Sequence, residues 1–149
     1  MSGRGKDLER QCEKLLAATG GFWHRNEPPM RGGYKLPSGV PDYVVILGGR
    51  PHYIECKAGA GASLRLGSLV APLDGAAEPA GISSAQAAVM DGIERAGGVC
   101  YVLARLTHRT GEVDALIPWA TWRGWLASGL RSATPAMLAG ASVAWPVRG

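Results

Sequence analysis

Residues 39–59 read GVPDYVVILGGRPHYIECKAG, and the rest of the predicted fold is built outward from this stretch. The run Tyr43–Leu47 is apolar, β-branched and aromatic, which is typical of a buried strand. Gly48 and Gly49 tolerate positive φ angles and therefore predict a turn. Residues 52–57 alternate in polarity and predict the return strand of a β-hairpin.

The length of the turn decides which residue lies opposite Asp42. A two-residue loop places Asp42 opposite Glu55, whereas a four-residue loop places it opposite Lys57. Either register puts the three side chains on one face, because strand side chains alternate. Opposed Cβ atoms lie roughly 5 Å apart, so two carboxylates there are unfavourable without a cation. Mg²⁺, which binds carboxylate oxygens at about 2.1 Å, fits such a site. The hairpin thus predicts metal-dependent phosphodiester chemistry, and an ordinary surface Glu–Lys pair is the alternative.

Two segments of this hairpin resemble a known catalytic core. Ser38-Gly39-Val40-Pro41-Asp42 with Tyr53-Ile54-Glu55-Cys56-Lys57 resembles the PD-(D/E)xK nuclease superfamily, and within it the archaeal-type (Hjc-like) Holliday junction resolvases. The order of parts over about residues 3–120 also resembles the bacterial RecU-type resolvases and the VRR-NUC domains of phages. The motif is specific at the superfamily level, and the choice among the three groups stays open. The resemblance implies an α/β, restriction-endonuclease-like fold with an αβββαβ core, in which helices flank a central mixed sheet.

The resemblance also implies a metal site. Asp42, Glu55 and the carbonyl of Cys56 are expected to hold one or two Mg²⁺ ions, for which Mn²⁺ substitutes. Glu9, on the first predicted helix, is expected to assist as a further metal ligand. A surface ion pair between Glu9 and Lys6 is the alternative.

The expected catalytic residues are Asp42, Glu55, Lys57 and Gln86. Lys57 would orient or deprotonate the attacking water, or neutralise the phosphate. Gln86 matches a glutamine that these families place near the site, although a plain surface glutamine is the alternative. The thiol of Cys56 points away from Glu55 in an alternating strand, which predicts core packing for the side chain itself.

The predicted activity is Mg²⁺-dependent, structure-selective DNA cleavage that resolves four-way (Holliday) junctions by paired nicks. The resemblance implies 5′-phosphate and 3′-hydroxyl products. Because a resolvase makes two cuts and one chain carries one site, we expect a C2 homodimer on branched DNA. The alternatives are a VRR-NUC-type nickase or flap nuclease, a restriction-type enzyme, and a non-catalytic nucleic-acid-binding module. The complete Asp–Glu–Lys set disfavours the last, and the short chain disfavours the restriction type.

The formal net charge is +4, and basic residues crowd the first third of the chain. This balance is compatible with a nucleic-acid partner but is not diagnostic. A solvated helix face is the alternative for several of these residues, and a plain turn position for the serine. The candidates for nucleic-acid contact are Arg4, Lys6, Arg10, His24, Arg25, Arg31, Lys35 and Ser38.

At 149 residues the chain is expected to form a single nuclease domain. Three widely spaced cysteines without a C-x-x-C pair indicate reduced thiols in an intracellular protein. No signal peptide or membrane span is recognised, so the expected location is the cytoplasm of a bacterium, an archaeon or a phage-infected host cell.

The predicted elements follow from periodicity and stop signals. Helices are expected at 6–19 and from Ser83 or Ser84 to about 96, with Pro118 opening a last helix. Strands are expected at 22–25, at 99–106 parallel to the hairpin, and at 114–117. The remaining predictions are a flexible arm at 1–5, a flexible insertion at 58–81 and a tail of uncertain structure at 134–149.

Two apolar features, a tryptophan repeat and the segment 64–73, are each compatible with more than one role. Trp119, Trp122 and Trp125 recur every three residues, which indicates core packing or a subunit interface more than base stacking. Residues 64–73 are apolar for a loop, and they would cover an edge strand or contribute to a dimer.

Overall fold

The computed structural model describes residues 3–26 and 39–147. Its elements run in the order α1, β1, β2, β3, β4, α2, β5, β6, α3, β7 and α4. The helices are α1 (Gly3–Ala18), α2 (Ser84–Arg95), α3 (Trp119–Ala127) and α4 (Pro135–Ala141). The strands are β1 (Phe22–Arg25), β2 (Tyr43–Leu47), β3 (Arg50–Ala60), β4 (Leu64–Arg65), β5 (Val99–His108), β6 (Gly111–Pro118) and β7 (Ser132–Ala133).

The hairpin of β2 and β3 has the shorter of the two predicted turns. Leu47 pairs with Arg50, and Gly48 and Gly49 adopt φ angles of 57° and 76°. Positive φ at both central residues is what a tight two-residue hairpin turn requires, and glycine supplies it without steric cost. Continuing the ladder past Tyr43 and Ile54 brings Asp42 opposite Glu55. The four-residue alternative is therefore wrong.

The central sheet has five strands in the order β1-β2-β3-β5-β6. β1, β2 and β3 form an antiparallel meander, and β5 lies parallel to β3 after the crossover through α2. β6 then returns antiparallel to β5. This arrangement confirms the predicted αβββαβ order and the mixed sheet. β5 and β6 are longer than predicted because the two strands stay paired up to the His108–Gly111 turn.

One face of the sheet is covered by α1. Leu8, Cys12 and Leu16 are fully buried along one stripe of this helix and pack against Tyr43 and Ile54 of the hairpin. The helix begins at Gly3, so residues 3–5, which the sequence placed in a flexible arm, form its first turn. It ends at Ala18, where the Thr19 hydroxyl donates a hydrogen bond to the carbonyl of Leu16.

The opposite face is covered by α2 and α3. Met90 of α2, with Trp119 and Trp122 of α3, is buried there against β5 and β6. The tryptophan stripe thus lies in the core of this chain, and Trp125 packs at its margin. Pro118 is the last residue of β6 and precedes α3, which is not the last helix because α4 follows within the predicted tail.

The predicted insertion at 58–81 contains regular structure at its start. β3 continues to Ala60, and Leu64–Arg65 pairs with Ser132–Ala133 in a separate two-stranded sheet. Gly67 then forms a parallel bridge with Ile82 just before α2. Within residues 3–26 and 39–147, no helix has the length and apolar character needed to span a bilayer.

Candidate active site

Asp42 directly precedes β2 and is held by hydrogen bonds from Asn26, next to β1, and from Cys56 of β3. Asn26, which directly follows β1, donates both bonds: its backbone N–H donates to the carbonyl of Asp42 at 2.7 Å, and its amide Nδ2 donates to the carbonyl of Pro41 at 3.1 Å. The backbone N–H of Cys56 donates to Asp42 Oδ2 at 2.9 Å. The carboxylate therefore projects from a fixed position beside β3.

Glu55 lies in the middle of β3 and is only 4% exposed. Its Oε2 atom accepts a hydrogen bond from Gln86 Nε2 at 3.0 Å and lies 3.5 Å from Lys57 Nζ. Its Oε1 atom is buried and has no hydrogen-bond partner in the described part of the chain. Buried carboxylate oxygens are nearly always paired, so an unpaired one calls for an explanation such as metal coordination.

The electrostatics of the pair are unfavourable without a cation. Burial and then the negative charge of Asp42 raise the pKa of Glu55 to about 8, against the opposing effect of Lys57. Burial also raises the pKa of Asp42, although the N–H of Cys56 lowers it. Glu9 adds a further negative charge that raises the pKa of Asp42. Two desolvated carboxylates side by side are a recurrent sign of a functional site.

Gln86 is fixed in position by the start of α2. Ser83 caps this helix, and its hydroxyl accepts from the backbone N–H of Gln86 at 3.1 Å. The Gln86 Oε1 atom accepts in return from the Ser83 N–H at 3.0 Å, which completes a capping box. Because Oε1 is engaged in the cap, Nε2 is the atom that faces Glu55. The structure thus brings Gln86, Glu55 and Lys57 together.

Glu9 lies near the site but has another partner. Its carboxylate is 2.9 Å from Arg25 Nη1, and its side chain is largely buried on α1. Arg25 also lies 3.9 Å from Glu13, whose Oε2 accepts a hydrogen bond from the Tyr43 hydroxyl at 2.6 Å. The predicted pairing of Glu9 with Lys6 is replaced by this pairing with Arg25. Arg25, a candidate for nucleic-acid contact, is engaged in the same cluster.

The residues present fit a hard divalent cation. In the described ranges, no group of three or more His, Cys, Asp and Glu side chains is arranged to hold a metal ion. Mg²⁺ does not require one, because it is commonly bound through one or two carboxylates and keeps several waters. Asp42 and Glu55 provide those two carboxylates, and the unpartnered Oε1 of Glu55 provides a free donor. The Cys56 carbonyl and Glu9 stay predictions as further ligands.

The thiol of Cys56 points away from Glu55, as the alternation of β3 predicts. It packs with Cys12 in the core under α1. The contact with Cys12 and burial raise the pKa of the Cys56 thiol. The side chain is therefore a core residue, and only the backbone of Cys56 faces the site.

The other candidates for nucleic-acid contact are spread over the surface. Arg4, Lys6 and Arg10 are exposed on α1, where Arg10 pairs with Asp7 at 3.0 Å, and His24 is exposed on β1. Arg31, Lys35 and Ser38 lie outside the described residues. The role of this group in binding stays a prediction.

Sequence reasoning missed two residues that position the site. Asn26 anchors Pro41 and Asp42, and it carries no local signal because its partners are distant in sequence. Gly39 packs on the start of α2, where a Cβ atom would lie 2.7 Å from backbone atoms of Ala85. Its place directly before the Val40-Pro41-Asp42 run was the available signal, because glycine allows such close backbone approach.

No protein-family model and no curated protein matches this sequence. Among solved structures, Hjc of Archaeoglobus fulgidus, a Holliday junction resolvase from an archaeal hyperthermophile, is similar, with a TM-score of 0.45 and 20% sequence identity. The alignment covers 78% of this chain and 78% of that chain. This similarity is too distant to transfer residue roles, so the chemistry of the site rests on its own geometry.

Proposed function

We propose that this protein is a metal-dependent endonuclease that hydrolyses phosphodiester bonds in DNA. One observation carries the proposal: Glu55 is buried beside Asp42 with one carboxylate oxygen unpartnered, and Lys57 stands 3.5 Å from the other. Burying two carboxylates costs stability unless a cation compensates them. Two such carboxylates that are kept beside a lysine despite this cost are suited to metal-assisted phosphoryl chemistry.

The metal is proposed to bind Asp42 and Glu55, with the Cys56 carbonyl and Glu9 as further candidate ligands. When bound, it would polarise the scissile phosphate and lower the pKa of a coordinated water. The hydrogen bond from Gln86 holds Glu55 in one rotamer and leaves the unpartnered oxygen free for this purpose. Gln86 is therefore a positioning residue in this proposal.

Lys57 is proposed to contact the substrate directly. Its side chain lines a small cavity at the end of β3 as well as facing Glu55. An ammonium at this boundary would neutralise a phosphate oxygen or orient the attacking water. Either role stabilises charge that develops in the transition state, which is where such groups contribute most.

The finer proposal is that the substrate is branched DNA, with four-way junctions cut by a homodimer. It rests on the resemblance of residues 38–42 and 53–57 to junction resolvases, together with the single site per chain. The tryptophan stripe does not supply the dimer surface, because Trp119 and Trp122 are buried within the chain. Leu64 and Leu66 of the 64–73 segment are buried as well, so its exposed residues Val70 and Leu73 remain the candidate.

The test is cleavage of end-labelled four-way junction, 5′-flap and linear duplex DNA of matched sequence. We expect paired nicks in the junction with Mg²⁺ or Mn²⁺, and no cleavage with Ca²⁺ or chelator. Ca²⁺ prefers more ligands and longer bonds than Mg²⁺, so it should support binding without aligning the reaction.

The outcomes separate the alternatives. Preferred cutting of the flap, or equal nicking of all three DNAs, would favour the nickase or flap nuclease. DNA binding without cleavage in any metal would favour a non-catalytic binding module. Full activity in chelator would contradict the metal site itself.

A further inference from the structure

Two arginines, Arg65 and Arg131, line cavities next to Lys57 of the candidate active site. Lys57 lines a cavity of about 140 Å³, whose wall also includes Arg65 and Ala80. Arg65 and Ala80 in turn line a neighbouring cavity of about 460 Å³, which Arg131 also lines. The two cavities share Arg65 and Ala80 in their walls, and together they are called the arginine channel.

The two arginines of the channel have no acidic partner among residues 3–26 and 39–147. In the described part of the chain, neither Arg65 nor Arg131 forms an ion pair with an acidic side chain, and both residues are exposed. The acidic residue nearest in sequence to the channel wall is Glu78, whose Oε1 accepts hydrogen bonds from the Ser84 N–H and hydroxyl at 3.0 Å. The carboxylate of Glu78 is therefore bound at the start of α2 rather than to either arginine, which leaves both guanidinium groups for a ligand.

The floor of the arginine channel is built from backbone that is tied to the core. The N–H of Leu66 donates to the carbonyl of Arg131 at 2.9 Å, and the buried indole of Trp122 donates to the carbonyl of Leu66 at 2.9 Å. The N–H of Ile82 donates to the carbonyl of Leu66 at 3.0 Å, and the N–H of Ser68 donates to the carbonyl of Ile82 at 2.9 Å. Arg65 thus lies in β4 of the two-stranded sheet, and Arg131 directly precedes its partner strand β7.

The lining also restricts the kind of contact that the channel makes. The larger cavity is bordered by arginine, glycine, serine, proline and alanine, and no aromatic side chain of the described ranges lines it. Proteins that grip bases usually stack them on aromatic rings, whereas sequence-neutral contacts go to phosphates. An open, cationic, non-aromatic channel suits the sugar–phosphate backbone.

We infer that the arginine channel binds the DNA backbone on one side of the scissile phosphate, with Arg65 and Arg131 contacting successive phosphates. This inference rests on the proposed function for the position of the scissile phosphate at Lys57. It assigns DNA contact to residues outside the basic first third of the chain. Arg65 and Arg131 are positioning residues, since they hold the strand and do not touch the reacting atoms.

The first experiment measures DNA affinity by fluorescence anisotropy in Ca²⁺, over a series of KCl concentrations. Each phosphate contact that is lost reduces the dependence of log K on log salt by roughly one. The double variant Arg65→Gln/Arg131→Gln should therefore lower that slope by about two and weaken binding on the order of tenfold or more. The matched control is Arg95→Gln, an exposed arginine in the last turn of α2, which should leave the slope unchanged.

The second experiment places the contact. Single methylphosphonate linkages, which are uncharged, are introduced one at a time on each side of the cleavage position. A linkage that Arg65 contacts should weaken binding of the native protein but not of Arg65→Gln, which is the coupling expected of a direct pair. Coupled positions should fall on one side of the cut only.

The outcomes distinguish this inference from the proposed function. An unchanged salt slope in the double variant, or an equal effect of Arg95→Gln, would overturn the arginine channel while metal-dependent cleavage still stood. A reduced slope in the double variant of a protein that never cleaves DNA would support the channel and refute the nuclease. Melting temperatures within about 2 °C of the native protein would establish that the variants are folded.

Discussion

At the scale of single residues, Glu55 combines two properties that conflict in a metal-free fold. It is 4% exposed in a β-strand, yet it stands beside the carboxylate of Asp42 and leaves one oxygen without a partner. A position chosen only for stability would carry an apolar or amide side chain. We therefore interpret Glu55 as a ligand-binding residue rather than as a packing residue of the core.

Metal-free stability should depend on pH through this residue. The pKa of Glu55 is raised from its ordinary 4.5 to about 8, so the folded state binds a proton more tightly than the unfolded state. The contribution of this group to the free energy of unfolding is fully present below about pH 4.5 and is lost as pH rises through about 8. In chelator, Glu55→Gln should remove this decline and raise the stability at pH 8 by about 1–3 kcal/mol. Urea unfolding at pH 5 and pH 8 measures the effect.

The control for this prediction is Asp74→Asn, which changes an exposed carboxylate in a loop. It should leave the difference in stability between pH 5 and pH 8 as in the native protein. A native protein that becomes more stable between pH 5 and pH 8 in chelator would contradict the assignment of a raised pKa to Glu55.

Cleavage should fail when any of the three central side chains is changed. We expect Asp42→Asn, Glu55→Gln and Lys57→Ala each to lower the cleavage rate by about 100-fold or more, because these groups act on the transition state. Folding should be retained, and the two carboxylate variants should bind DNA at least as tightly because a repulsive charge is lost. Single-turnover cleavage rates and circular dichroism measure both effects, with Asp74→Asn as the matched carboxylate control. Near-native cleavage by Lys57→Ala would remove Lys57 from the mechanism.

At the scale of elements, the start of α2 serves both the helix and the site. The amide of Gln86 caps the helix through Oε1 and binds Glu55 through Nε2. The bond through Oε1 stabilises the helix, whereas the bond through Nε2 orients a candidate metal ligand, so the loss of each has a different consequence. The two roles are separable by substitution.

Three variants at this helix start should separate stability from cleavage. Ser83→Ala removes the cap, so it should cost about 1 kcal/mol of stability and leave the cleavage rate nearly native. Gln86→Glu keeps an acceptor for the Ser83 N–H but replaces the donor to Glu55 with a carboxylate, so it should preserve helix stability and lower cleavage. Gln86→Ala should lower both. Thermal unfolding and cleavage rates measured on the same preparations test this pattern, and an active, stable Gln86→Ala would contradict both roles.

At the scale of the whole molecule, the surfaces left for a partner differ from those that the sequence indicated. Trp119 and Trp122 of α3 are buried in the core, whereas Val70 and Leu73 in the predicted insertion are 73% and 85% exposed. Apolar side chains exposed to this degree within one short segment are candidates for burial in an interface. The proposed dimer would therefore form through Val70 and Leu73, at the end of the 64–73 segment that does not line the arginine channel.

The dimer prediction has a direct test. We expect the native protein to sediment as a dimer at micromolar concentration and Leu73→Glu to sediment as a monomer that has lost paired junction cleavage. The matched control is Phe22→Glu, since Phe22 is also 73% exposed but lies on edge strand β1. Dissociation by Phe22→Glu alone would place the interface at the sheet edge, and a native monomer would contradict the dimer.

The sequence by itself determined the local elements and the face on which the candidate site is assembled. The apolar run of β2, the Gly48–Gly49 turn and the alternation of β3 are short-range signals, because each depends on backbone preferences within a few residues. They place Asp42, Glu55 and Lys57 on one face under either turn length. The same alternation placed the Cys56 side chain in the core.

Only the tertiary structure decided the register, the partners and the charges of that site. The pairing of Leu47 with Arg50 selected one of two turns, and the docking of α1 and α2 paired Glu9 with Arg25 and Gln86 with Glu55. These contacts join residues that are far apart in the chain, and no local pattern specifies them. The raised pKa of Glu55 has the same origin, because desolvation depends on all the elements that exclude water around a carboxylate rather than on its neighbours in sequence.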